Sequence, residues 1–89
     1  VIVFNLSVKA DITVKFFTLS GEQIRTLKPY DVKNNLVNQT DIKQGENRVK
    51  WDGLNDYGEK VSSGVYIYKI EAKTKDEFVY KFSKLAVLR

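Results

Sequence analysis

The sequence predicts a small all-β domain, and three observations support this fold class. Apolar and polar residues alternate with a period of two in several short segments, which is typical of strands buried on one face. Turn-forming residues, chiefly Gly, Asn and Asp, separate these segments. No window keeps apolar residues at helical spacing for two turns, and β-branched and aromatic residues dominate, so we expect no helix.

Three strands are predicted in the first third of the chain. The first has one apolar face made of Ile2, Phe4, Leu6 and Val8. The second repeats the pattern with Ile12, Val14 and Phe16. A turn at residues 20–22 then leads into a third strand at residues 23–27, which predicts a hairpin.

A long loop is predicted after this hairpin. Pro29 removes a backbone donor, and residues 31–44 are rich in Asn, Asp, Lys and Gln, with room for a short edge strand. A turn at residues 45–47 leads into a segment in which Val49 and Trp51 share one face. Trp51 is the largest single candidate for the core.

The last two strands differ in how regular their patterns are. Residues 65–72 place Tyr66, Tyr68, Ile70 and Ala72 on one face. In the final strand Phe78, Tyr80 and Phe82 fall on one face, whereas Leu85 and Val87 fall on the opposite face. A β-bulge near residues 83–84 would reconcile the two sets, and we predict one there.

Six or seven short strands at this spacing indicate an immunoglobulin/fibronectin-III-like antiparallel β-sandwich of about seven strands. Eighty-nine residues can hold one core, so we expect a single domain over residues 1–89. The chain has no Met and opens directly into a strand pattern, without a signal peptide. We therefore expect it to be a module of a longer protein.

Composition excludes several classes of function. His and Cys are both absent, which removes the commonest general base, metal ligand and thiol nucleophile, so we expect no enzyme and no cofactor. The net charge is +4, but 15 basic residues are scattered among 11 acidic ones, so we expect no nucleic-acid binding. No apolar stretch is long enough to span a membrane.

The segment with the most distinctive chemistry is Trp51-Asp52-Gly53-Leu54-Asn55-Asp56-Tyr57-Gly58, followed by Ser62-Ser63-Gly64-Val65-Tyr66. Asp52, Asn55 and Asp56 offer hard oxygen atoms and are weak candidates for calcium ligands, although calcium takes six to eight oxygens. The favoured interpretation is that these side chains cap turn amides, while the glycines adopt conformations that other residues avoid.

Aromatic residues also allow two interpretations. A row of rings could form a sugar-stacking platform, but the alternation with polar neighbours favours core packing for Trp51, Tyr66, Tyr68, Phe78, Tyr80 and Phe82. Tyr30 and Tyr57 fall in predicted loops and are the aromatic residues left for a ligand.

A known family shares the order of these elements: Phe16-Phe17-Thr18-Leu19-Ser20-Gly21, Ile24-Arg25-Thr26-Leu27, Gly45-Glu46-Asn47, Trp51-Asp52-Gly53, Gly58, Ser63-Gly64-Val65-Tyr66 and Lys84-Leu85-Ala86-Val87-Leu88-Arg89. The sequence resembles the FlgD Ig-like domain, with the type IX secretion C-terminal sorting domain as a near relative. The resemblance implies a structural motif formed by Gly21, Trp51, Asp52, Gly53, Gly58, Gly64 and Tyr66. It implies no catalytic residues.

The resemblance implies a non-catalytic structural or interaction domain at the C-terminus of a secreted or cell-surface bacterial protein, acting in anchoring, assembly or secretion sorting. Its expected partners are other domains of its parent protein, or the envelope or secretion machinery. The alternative is a carbohydrate-binding accessory module of an extracellular glycoside hydrolase. Self-assembly through sheet edges is a third possibility, but outward-facing lysines would protect the edges, so we expect a monomer.

Overall fold

The computed structural model describes residues 2–6, 9–34 and 45–89, which form an antiparallel, immunoglobulin-like β-sandwich. The elements in chain order are β1 (Ile2–Leu6), β2 (Asp11–Phe17), β3 (Gln23–Leu27), α1 (Pro29–Asn34), β4 (Gly45–Val49), β5 (Gly64–Lys73) and β6 (Phe78–Val87). One sheet pairs β1 with β4, and the other has the strand order β3-β2-β5-β6. The all-β prediction is confirmed, with six strands in the described part of the chain.

The core lies between the two sheets and follows the predicted alternation. Ile12, Val14 and Phe16 of β2 are fully buried, and Ile2 and Phe4 of the smaller sheet are buried against them. The predicted hairpin between β2 and β3 is also confirmed, with a register shift between Phe16 and Phe17. Val8, which was assigned to the first apolar face, lies outside the described residues.

Strand β5 crosses the centre of the larger sheet between β2 and β6. Tyr66 and Ala72 are buried, and Tyr68 and Ile70 are half-buried and packed against the core, as their shared parity predicts. On the opposite face of β5, the Glu71 carboxylate accepts from Lys69 at 3.0 Å and Lys15 at 3.1 Å. Burial raises the pKa of Glu71, but these hydrogen bonds and charges outweigh burial and hold the pKa below its ordinary value.

The prediction of a β-bulge near residues 83–84 is wrong. The pairing of β6 with β5 runs without a shift from Gly64↔Val87 to Lys73↔Phe78. The same strand therefore turns Leu85 and Val87 inward and the aromatic residues outward, since adjacent residues of a regular strand face opposite sides. The prediction that Phe78, Tyr80 and Phe82 pack in the core is also wrong, because more than half of each side chain is exposed.

A second correction concerns residues 29–34, which form a short helix although no helix was expected. Pro29 occupies the first helical position, where its missing N–H costs nothing. The backbone N–H of Lys28 donates to Asp31 Oδ2 at 3.1 Å, and Val32 is buried in the core. Residues 35–44, assigned to the same long loop, lie outside the described part. Among the described residues, no helix is long and apolar enough to cross a membrane.

Candidate functional site: the WDG loop

The connection between β4 and β5, residues 51–63, is here named the WDG loop after its first three residues. Trp51 attaches the loop to the core. Its ring stacks on Phe16 with centroids 4.2 Å apart, and it meets the ring of Tyr66 edge-on at 5.8 Å. Its Nε1 donates to the carbonyl of Leu54 at 3.1 Å. Trp51 is thus a half-buried boundary residue that links the core to the loop backbone.

Asp52 and Arg25 form the first polar contact of the loop with the larger sheet. Asp52 Oδ1 accepts from the backbone N–H of Leu54 at 3.0 Å, which closes a turn of the type that Asp side chains favour. The same oxygen accepts from Arg25 Nη1 at 3.1 Å, and Nη1 also donates to the carbonyl of Leu54 at 2.9 Å. Arg25 therefore fixes both the side chain and the backbone of this turn to β3.

The tip of the loop is held by Asn55 and Asp56. Asn55 Oδ1 accepts from the backbone N–H groups of Tyr57 at 2.9 Å and Glu59 at 3.0 Å. Asp56 Oδ1 accepts from the backbone N–H of Thr26 at 3.0 Å, and Arg25 Nε lies 3.7 Å from it. The turn that follows Asp56 needs Gly58, whose φ of 79° lies in the left-handed region.

Gly53 and Arg89 join the loop to the end of β6. Arg89 donates from Nη2 to the carbonyl of Gly53 at 2.8 Å and from Nε to the carbonyl of Val61 at 2.6 Å. Its backbone N–H donates to Ser63 Oγ at 3.0 Å. Gly53 is favoured by its φ of 74°, a conformation that other residues rarely adopt. An added Cβ would also lie 2.7 Å from Arg89 Nη2, so the tip of the Arg89 side chain would have to shift.

The remaining residues of the predicted motif support the two ends of the loop. Tyr66 is buried and its hydroxyl donates to the carbonyl of Ser62 at 2.7 Å, while Gly64 begins β5. Gly21 lies in the turn before β3, away from the loop, where its N–H donates to the carbonyl of Thr18 at 3.0 Å. Gly21 is therefore part of the β2–β3 hairpin.

The three weak metal candidates do come together in this loop, but Oδ1 of each is already engaged. Asp52 and Asp56 each face the Arg25 guanidinium, and Asn55 Oδ1 binds two amides. Across the described ranges, no group of three or more carboxylate, His or Cys side chains could hold a metal ion. The arrangement favours turn capping and ion pairing over coordination.

We expect titration of calcium into the chelator-stripped domain to give no heat above dilution and no thermal stabilisation. The Arg25 guanidinium already lies beside Asp52 and Asp56 and would repel a calcium ion, and three side chains supply fewer than the six to eight oxygens that calcium takes. Asp52→Ala and Asp56→Ala are the controls. Micromolar binding that disappears in both variants would contradict this prediction.

Arg25, Thr26 and Arg89 were not assigned to the loop from the sequence. Arg25 and Thr26 contact residues about 30 positions away along the chain, and Arg89 contacts Gly53 from 36 positions away. No local pattern signals such contacts. Tyr57 at the loop tip is 88% exposed, in agreement with its predicted loop position, and Tyr30 is 74% exposed but lies in α1.

Comparison with known proteins agrees with this geometry. The family model described as FlgD Ig-like domain matches residues 4–76, which run from within β1 to beyond the end of β5 and include the whole WDG loop. Neither a search of curated proteins nor a search of solved structures finds a match. Because the family model covers well over half of the chain, the chain belongs to the FlgD Ig-like domain family.

Proposed function

We propose that this domain is a non-catalytic structural or interaction module of a secreted or cell-surface bacterial protein, acting in anchoring, assembly or secretion sorting. The observation that carries the proposal is that the polar side chains of the WDG loop bind groups of the domain itself. Its Asp and Asn side chains are hydrogen-bonded to backbone amides and to Arg25, within the domain itself. A catalytic site needs polar groups that converge on open space, whereas these groups converge on one another.

Membership of a structural domain family supports the same function. The partners we propose are other domains of the parent protein or components of its envelope or secretion machinery. Exposed apolar side chains outside the strands, Leu19, Tyr30 and Tyr57, offer contact points to such partners. Aromatic residues are favoured at protein interfaces because they contribute a large contact area with few rotatable bonds.

One structural observation supports the alternative, a carbohydrate-binding accessory module, and another argues against it. The outward position of Phe78, Tyr80 and Phe82 removes the parity argument against a sugar-binding platform. However, the ring planes of neighbouring members differ by 43° and 81°, so they do not form the flat surface on which sugar rings stack. The structural module remains the better supported function.

The test is made in the parent protein, with residues 1–89 deleted or replaced by an unrelated β-sandwich of similar size. We expect the solution activity of the rest of the protein to be unchanged, while its surface retention, assembly or export is lost. A parallel glycan array with the isolated domain is expected to show no binding. Loss of activity without loss of localisation, or specific glycan binding, would contradict the proposal.

A further inference from the structure

Strand β6 lies at an edge of the larger sheet in the described part of the chain, and its two lysines, Lys81 and Lys84, are the features that oppose pairing with another strand. In the described part of the chain it pairs with β5 alone, along an unshifted ladder of ten residues. It contains no proline, and the bulge that would have twisted it is absent. A long, regular edge of this kind exposes a row of N–H and C=O groups that can pair with another chain.

The outward face of β6 is also apolar. Phe78, Tyr80 and Phe82, here named the aromatic row, are 55%, 59% and 52% exposed, with neighbouring centroids 6.3 and 5.8 Å apart. Lys69 Nζ lies 4.5 Å above the Tyr80 ring. Since each ring has about 150–250 Å² of surface, half of which is open, the row exposes roughly 300 Å². A patch of this size is comparable to the largest apolar patch of an ordinary monomer, and such patches are often functional.

We propose that two copies of this domain associate through antiparallel pairing of β6 with β6, with the two-fold axis at Phe82. On the outer face, this register sets Phe82 against its own copy, Tyr80 against Lys84, and Phe78 against Ala86. Aromatic pairs and a lysine opposite a tyrosine ring are favourable cross-strand neighbours. The two aromatic rows then form one surface across the axis.

The inner face is complementary in the same register. Val79, which is 56% exposed, faces Leu85 of the second copy, and Lys81 faces Ser83. No lysine faces a lysine at any position of the ladder from Phe78 to Ala86, so the charges expected to protect the edge do not repel directly. The ladder also uses nearly the whole of β6.

Neighbouring registers are less favourable. An axis at Lys81 places two lysines opposite each other. An axis at Ser83 sets the charged Lys81 against Leu85 and pairs Phe78 with Leu88, beyond the end of the strand. The axis at Phe82 avoids both faults.

The dimer should be weak and should respond to salt. One strand edge and a narrow row bury less than the roughly 1,200 Å² in total at which stable interfaces begin. Each copy carries a charge of +4, so added salt should screen the long-range repulsion and strengthen association. The aromatic row is not part of the WDG loop, although residues 84–86 at the other end of the ladder lie beside that loop. The proposal does not depend on the proposed function.

Disulfide cross-linking of the full domain tests the register, because the chain has no cysteine of its own. Facing Cα atoms of antiparallel strands lie about 4.5–5.5 Å apart, within the range that a disulfide spans. Phe82→Cys should therefore form a covalent dimer readily. Tyr80→Cys alone should not, since its two copies would lie four residues apart along the strand, about 13 Å.

A mixture of Tyr80→Cys and Lys84→Cys should form the mixed dimer, because the proposed register sets these two positions opposite each other. Val65→Cys, on the outer face of β5 away from the edge, is the matched control for random collision. Sedimentation of the unmodified chain should show concentration-dependent dimer that Phe82→Lys abolishes, with thermal unfolding of that variant confirming that it folds. Equal cross-linking at all four positions, or a monomer at millimolar concentration, would overturn the proposal.

Discussion

Phe16→Ala is expected to lower the free energy of unfolding by about 3–5 kcal/mol, the largest effect we expect of any single substitution in this domain. Phe16 is fully buried, and its ring stacks on Trp51 at 4.2 Å. The substitution leaves a cavity in the core and removes the surface on which the WDG loop rests. Since small domains are stable by about 5–15 kcal/mol, much of the folded population could be lost. Urea unfolding followed by Trp51 fluorescence measures the change.

Phe17→Ala is the matched control for this prediction. Phe17 is the next residue of β2, faces outward, is half-buried, and lies 6.4 Å from the ring of Phe82. The substitution removes the same atoms as Phe16→Ala, but from a site that water already reaches. We therefore expect the free energy of unfolding to fall by about 1 kcal/mol. Similar losses for both variants would mean that the core does not lie between the two sheets as described.

Arg25→Met is expected to lower the free energy of unfolding by about 2 kcal/mol. The Arg25 side chain is 18% exposed, and Nη1 donates to Asp52 Oδ1 and to the carbonyl of Leu54. Hydrogen bonds that involve a charged group contribute roughly 1.5–3 kcal/mol, and the half-exposed Asp52 can regain water, which places the estimate low in that range. Methionine keeps the apolar stem, so the measured loss reports the guanidinium.

Arg48→Met supplies the control for Arg25. Arg48 Nε lies 2.8 Å from Glu46 Oε1, which is shorter than the distance between Arg25 and Asp52. However, the side chains of Arg48 and Glu46 are both more than half exposed. Exposed ion pairs contribute little, so we expect a change of about 0.5 kcal/mol or less in urea unfolding. If Arg48→Met costs as much as Arg25→Met, the WDG loop is not specifically fixed to β3.

Strand faces could be predicted from the sequence where bulky residues and charges alternate without conflict, as in β2 and β5. In β6 two apolar sets of opposite parity compete, and the larger residues were assigned to the core. The structure resolves the conflict differently because, among the described residues, two strands oppose the four of the larger sheet. Inward positions near the start of β6 are poorly covered, so Val79 and Lys81 remain exposed. Aromatic residues are often exposed, and size alone does not assign a face.

Only part of the candidate site could be predicted from the sequence, namely the residues whose contacts are local. Asp52 and Asn55 cap amides within four residues of themselves, which is local turn chemistry that composition reveals. The two arginines act across the fold, and a single sequence carries no signal for which distant carbonyl a guanidinium will reach. The helix had local signals in Pro29 and Asp31, but six residues are too few to produce an apolar period.

The three hydrogen bonds made by Arg89 bear on how the edge strand β6 detaches from its sheet. An edge strand can open locally by losing its ladder one pair at a time, starting from an end that nothing holds. Arg89 lies just beyond the Gly64↔Val87 pair, where such peeling would begin, and ties that end to Gly53, Val61 and Ser63. Detaching β6 therefore also requires disrupting the WDG loop, which couples the last strand to the core by way of Trp51 and makes its release a cooperative event.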